Sequence, residues 1–111
     1  MINIKSFVWS YPATVVRIID GDSVKCSVDL GFRIAHTVTV RIARIDCPAI
    51  GTPEGIEARR FVSEIMPPGT LVLLQSRSLD KYGRCLGSIV LPDERSLETV
   101  LLESGHAKAV G

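Results

Sequence analysis

Three acids and two arginines, held in three short segments, carry the chemistry of this chain. Asp20 and Asp22 flank a glycine in Ile19-Asp20-Gly21-Asp22-Ser23. Arg41 and Asp46 lie in Val40-Arg41-Ile42-Ala43-Arg44-Ile45-Asp46-Cys47-Pro48, and Arg84 ends Asp80-Lys81-Tyr82-Gly83-Arg84. Carboxylate oxygens are hard donors that suit a hard cation. Arginine presents a planar fork of N–H groups that matches a phosphate. A cation site beside two such forks is what cleavage of a phosphodiester needs. A further carboxylate would be sought just after Asp46-Cys47-Pro48, and that position holds Ala49. Each residue also has a plainer reading. Asp-Gly is a common turn signal for conformational reasons alone, Asp46 could cap a turn, and the arginines could sit on the surface. Only a fold that joins the three segments makes them a site.

The elements that must position them can be read from periodicity. Residues 1–12 read as a lead-in closed by Tyr11-Pro12, with a first strand from about Ala13 to Ile19. After the Asp20-Gly21-Asp22 turn, Val24, Cys26, Val28 and Leu30 alternate with Lys25, Ser27 and Asp29, the period of a half-buried strand that completes a hairpin. A third strand places Val38, Val40 and Ile42 opposite Thr39, Arg41 and Ala43. Thr52 and Pro53 form a helix start, and Ala58, Phe61, Val62 and Ile65 make an apolar stripe that Pro67-Pro68-Gly69 ends. Leu71 to Arg77 and Arg84 to Leu91 read as strands joined by the Asp80–Gly83 turn. Ser96 caps a second helix, Leu97 to Ser104, stopped by Gly105. The order β-β-β-α-β-β-α matches the five-stranded Greek-key barrel of the OB type, an α+β fold in one domain spanning 1–111.

Composition narrows the classes. At 111 residues with 46% hydrophobic and 23% charged residues, the chain suits one globular core and not a disordered segment. The net charge of +1 gives no global positive field, so phosphate affinity must come from a local cluster. No apolar run is long enough to span a bilayer, and the N-terminus does not read as a signal peptide, so a cytoplasmic protein with no membrane association is expected. Cys26, Cys47 and Cys85 form no CxxC pair, and His36 and His106 stand at no zinc spacing from them. Three reduced thiols, two facing the core, are the expectation.

The three segments, in this order, resemble the thermonuclease family, the staphylococcal-nuclease-like domains. The hairpin motif Val-x-x-x-Asp-Gly-Asp-Ser/Thr stands as Val16 to Ser23, the strand motif Val-Arg-Ile-x-x-Ile-Asp-x-Pro as Val40 to Pro48, and the turn as Asp80 to Arg84. Leu101 to Lys108 is similar to the family's second helix and its exit, so the likeness covers about residues 13–110. The resemblance implies a calcium-dependent nuclease acting on phosphodiester bonds of DNA and RNA. Asp22 and Asp46 would be the carboxylate ligands of Ca²⁺, with the backbone carbonyl of Cys47 a third oxygen and Asp20 bracing the pocket. Arg41 and Arg84 would grip the scissile phosphate, and Lys81 and Tyr82 a neighbouring one.

Two departures from the family follow. Ala49 replaces the glutamate that positions or deprotonates the attacking water, and loss of a general base costs about 10²- to 10⁴-fold. Glu54 is the nearest acid that could substitute, although a charge in the first turn of a helix is favourable in its own right. The chain stops at Gly111, where family members continue into a third helix, and base-stacking tyrosines found beyond that point have no counterpart. The expectation is therefore a monomeric nuclease, weakened or silenced at Ala49, with nucleic acid as its partner and no protein partner evident. The alternative is a non-catalytic nucleic-acid-binding module that keeps the barrel and the phosphate grip.

Overall fold

The computed structural model describes residues 9–110. Strand β1 (Trp9–Asp20) turns at Gly21 into β2 (Ser23–Asp29), which is followed by β3 (Ala35–Ile42) and the short β4 (Ile45–Asp46). Helix α1 (Pro53–Ile65) precedes β5 (Leu71–Leu79) and β6 (Cys85–Val90), and α2 (Leu97–Glu103) leads to β7 (Lys108–Ala109). Five strands close into a barrel in the order β1-β2-β3-β6-β5, while β4 and β7 pair as a separate two-stranded sheet. The expected five-stranded barrel, with one helix inserted between its third and fourth strands, is therefore the fold.

Strand alternation fills the barrel. Val15, Val24, Cys26, Val40, Ile42 and Ile89 are buried, and Val62 from α1, Met66 at its C-terminal cap, and Leu97 and Leu101 from α2 pack against them. Burying each such Val, Leu or Ile contributes about 1.5–3 kcal/mol before entropy is counted. Cys26 and Cys85 are buried thiols and Cys47 is half-buried, as the core-facing expectation had it. Burial pushes the Cys26 thiol up to about 11.

The strand β1 begins at Trp9, ahead of the expected Ala13, so part of the predicted lead-in is strand; residues 1–8 lie outside the described residues. Trp9 to Thr14 pair with β5, whereas pairing with β2 starts at Ala13. Pro12 thus sits where β1 has one partner only, and a missing N–H is tolerated there. Register shifts in β1 between Val15 and Arg17 and between Ile18 and Asp20 bend the strand beside the Asp20–Asp22 turn. Arg59 of α1 donates Nε to the Ile18 carbonyl at 3.1 Å, which satisfies the backbone at that bend.

The two helices start as their sequences dictate. Thr52 Oγ1 accepts the Gly55 amide at 3.1 Å with Pro53 in the first turn, and Ser96 Oγ accepts the Thr99 amide at 3.2 Å.

Candidate metal and phosphate site

The acidic half of the site is built by the β1–β2 turn and by β4. Ile42 N donates to the Asp22 carbonyl at 2.9 Å, and Cys47 N donates to Asp22 Oδ2 at 2.8 Å, so the turn and the Asp46–Cys47 segment are tied directly together. Gly21 is needed at this crossing, because a Cβ there would stand 2.9 Å from Cys47 Sγ and 3.0 Å from the Ala58 Cβ. Asp22 is buried, whereas the Asp46 side chain is 64% exposed. Asp20 lies beside Asp22, and among the described residues its buried Oδ1 has no hydrogen-bond partner. Burial, then the neighbouring Asp20 carboxyl, push the Asp22 carboxyl above its ordinary range, against the opposing pull of the Cys47 amide and Arg41.

Arg41 lies between the two carboxylates that the family likeness assigns to the cation. Its Nη2 is 3.4 Å from Asp22 Oδ2 and 3.4 Å from Asp46 Oδ1. The guanidinium is held there by the chain's own carbonyls, with Nη1 donating to Ile42 O at 2.6 Å and Nη2 to Ile45 O at 3.0 Å. Those carbonyls converge because Arg44 takes a left-handed φ of 68° between β3 and β4. Nothing in the sequence announced that turn, since arginine has no preference for it.

The barrel's one parallel pairing sets the second arginine. In the β3–β6 ladder Arg41 stands opposite Leu86, and Arg84 immediately precedes that strand. Arg41, Arg84, Lys81 and Tyr82 accordingly line one open groove of about 380 Å³. Asp80 organises its far wall: Oδ1 accepts the Tyr82 and Arg84 amides, each at 2.9 Å, and Oδ2 accepts Arg84 Nε at 2.7 Å. Partial enclosure of Asp80 acts in the opposite sense, yet the Arg84 amide, the Arg84 guanidinium and the Tyr82 amide together hold its carboxyl below the ordinary range. The Lys81 ammonium lies 5.2 Å and the Arg84 guanidinium 5.7 Å from the centre of the exposed Tyr82 ring, at the outer limit of cation–π contact. Sequence reasoning had passed over Asp80 as a turn residue, although a carboxylate four positions before an arginine in a glycine turn was its signal.

Position 49 is the gap. Ala49 is exposed, and its carbonyl accepts both the Thr52 amide at 3.0 Å and Thr52 Oγ1 at 2.7 Å. Glu54 is exposed in the first turn of α1, where a negative charge suits the helix, and among the described residues it has no hydrogen bond or ion pair.

The donor set is one a hard divalent cation fits. Two carboxylates, Asp22 and Asp46, face one guanidinium, Asp20 adjoins Asp22, and among the described residues the buried Asp20 Oδ1 has no donor. Cys47 is no thiolate ligand: burial, then Asp22, push its thiol up to about 12. Among the described residues no three His, Cys, Asp or Glu side chains form a ready-made cage, so such a cation would complete its shell with backbone oxygen, water and substrate.

Residues 39–111 match the staphylococcal nuclease homologue family. The chain belongs to that family. A micrococcal nuclease of Shigella flexneri is 35% identical over 78 residues, covering 70% of the chain and 41% of that protein. Protein ParB of Escherichia coli is 32% identical over 103 residues, covering 86% of the chain and 55% of its own length. The endonuclease YhcR of Bacillus subtilis is 24% identical over 110 residues, 9% of its length. This staphylococcal nuclease homologue thus spans about half or less of these relatives.

Proposed function

We propose that the protein is a calcium-dependent nuclease on DNA or RNA whose chemical step is slowed at Ala49. One observation carries the reading: the Arg41 guanidinium stands 3.4 Å from both Asp22 and Asp46 at the mouth of the groove that also holds Arg84, Lys81 and Tyr82. The nuclease names of several relatives support it. When bound, a divalent cation at Asp22 and Asp46, with the Cys47 carbonyl, would polarise a phosphate oxygen. Arg41 would then give up its carboxylate contacts and donate to the scissile phosphate. Arg84, braced from behind by Asp80, would donate to the same phosphate and offset the charge that builds on its oxygens. Lys81 and Tyr82 would hold the next phosphate along the strand.

The methyl side chain of Ala49 has neither acceptor nor acid to orient or deprotonate water, and its carbonyl is already taken by Thr52. Glu54 would need to leave the helix turn to replace it. A nucleic-acid-binding module without catalysis is the second reading, favoured by that one position.

The deciding experiment follows labelled single-stranded and duplex DNA in calcium and in chelator, for this chain and for Ala49→Glu. Calcium-dependent cutting that rises about 10²- to 10⁴-fold in Ala49→Glu is expected. No cutting by either protein, with binding intact, would leave the binding module.

A further inference from the structure

The strand β4 has a second groove on its other side, of about 270 Å³, bordered by Asp46, Cys47, Pro48, His106, Ala107 and Lys108. Asp46 is shared with the cation site, and Arg41, its 3.4 Å partner, lines the first groove, so the two grooves meet at that ion pair. We propose that this second groove is a nucleotide subsite, in which Lys108 holds the phosphate on the far side of the scissile bond from Lys81 and Tyr82. The subsite rests on the nuclease reading above. It adds that the substrate is a single strand lying across both grooves and cut internally.

Charge and architecture point the same way. Lys108 stands directly opposite Asp46 in the β4–β7 pair, which places both side chains on one face. Asp46 nevertheless pairs with Arg41, and among the described residues no carboxylate lies within 4.0 Å of the exposed Lys108 ammonium. An ammonium with no carboxylate partner beside a groove that adjoins the Arg41–Arg84 groove is placed to meet the next phosphate of a strand held there. His106 supplies a fixed polar edge: its ring lies against Phe61 of α1, centroids 4.6 Å apart at 36°, and α1 is anchored on the barrel. Pro48 and Ala107 offer flat apolar surface with no competing charge. The volume is just below the range of about 300–1,000 Å³ typical of small-ligand pockets, which suits one nucleotide unit and not a duplex.

The plainer role for Lys108 is to balance Asp46. The two are separable by fluorescence anisotropy with a labelled octathymidylate, and by its competition with a dithymidylate too short to reach beyond the Arg41–Arg84 groove. Lys108→Ala is expected to weaken the octamer about five- to tenfold while leaving the dinucleotide unchanged, and to lower the slope of log K against log salt by about 0.7. Lys108→Arg should restore both. Equal loss for both ligands, an unchanged slope, or an effect confined to the calcium-induced rise in melting temperature would overturn the subsite. Arg84→Ala, which removes a guanidinium hydrogen-bonded to Asp80 in the first groove, should weaken both ligands. If it weakens neither, the nuclease reading falls and the subsite with it; if it weakens both while Lys108→Ala binds as the parent does, the subsite alone falls.

Discussion

Gly55 is where the loop that carries Ala49 leans on α1, and Gly55→Ala tests that contact. A Cβ at Gly55 would overlap the carbonyl carbon and oxygen of Ala49 and stand 2.9 Å from Ile50 N. Both partners are backbone, so no side chain can swing aside, and loop and helix must part by roughly an ångström at a cost of about 3 kcal/mol, the upper end of overpacking. Alanine returns up to about 1 kcal/mol of helix propensity, less in a first turn, leaving a net loss of about 2 kcal/mol. For a domain of this size that is a fall of roughly 10 °C in melting temperature. Gly51→Ala is the control in the same loop, since its Cβ meets nothing within 4 Å, and should stay within about 0.5 kcal/mol of the parent. Urea titrations followed by circular dichroism measure both. Equal stabilities for the two variants would refute the close packing of Ala49 on α1, and with it the fixed placement of position 49.

Asp22→Asn, in chelator, should gain stability at neutral pH and match the parent near pH 3. A carboxyl raised in the fold contributes stability fully below its ordinary range, and that contribution is lost as pH climbs through the raised value; urea midpoints at the two pH values decide, and a loss at neutral pH would contradict it. The same variant should lose any calcium-induced rise in melting temperature. Asp80→Ala frees Arg84 and the Tyr82 and Arg84 amides, so oligonucleotide affinity should fall while the barrel's circular dichroism spectrum is kept. Cys47 and Cys26, with thiols pushed up to about 12 and about 11, should resist alkylation at pH 8 until urea unfolds the chain, as timed thiol labelling would show.

Strong local signals in the chain correspond to what formed. The Val24–Val28 alternation became β2, Thr52-Pro53 with its apolar stripe became α1, and Ser96 capped α2. Tyr11-Pro12 misled because a proline was taken to end structure, whereas β1 there has only β5 for a neighbour. The two-residue strands β4 and β7 escaped notice for a different reason: two residues have no period, and their pairing joins positions far apart in the chain. In the site, the motif residues gather at β4, the β1–β2 turn and the β6 entrance. The grip of Arg41 on the Ile42 and Ile45 carbonyls depends on the left-handed Arg44, which no residue type signals. No local pattern marks Lys108 and His106, beyond their place in a helix exit, as site residues, because their neighbours Asp46 and Phe61 are distant in sequence.

The β4–β7 ladder has a kinetic side. Pairing Asp46 with Lys108 closes a loop that contains α1, β5, β6 and α2, so it cannot form until most of the chain is in place. The barrel can therefore be assembled before the Asp46–Lys108 pairing, with Asp46 held only through Arg41 and the neighbouring Cys47 amide. Its amides, and those of Lys108 and Ala109, should open and exchange hydrogen as one cooperative unit, at a lower free energy than the barrel strands. The full anchoring of Asp46, on which the proposed cation site depends, would then be the last feature the folding chain acquires and the first it loses.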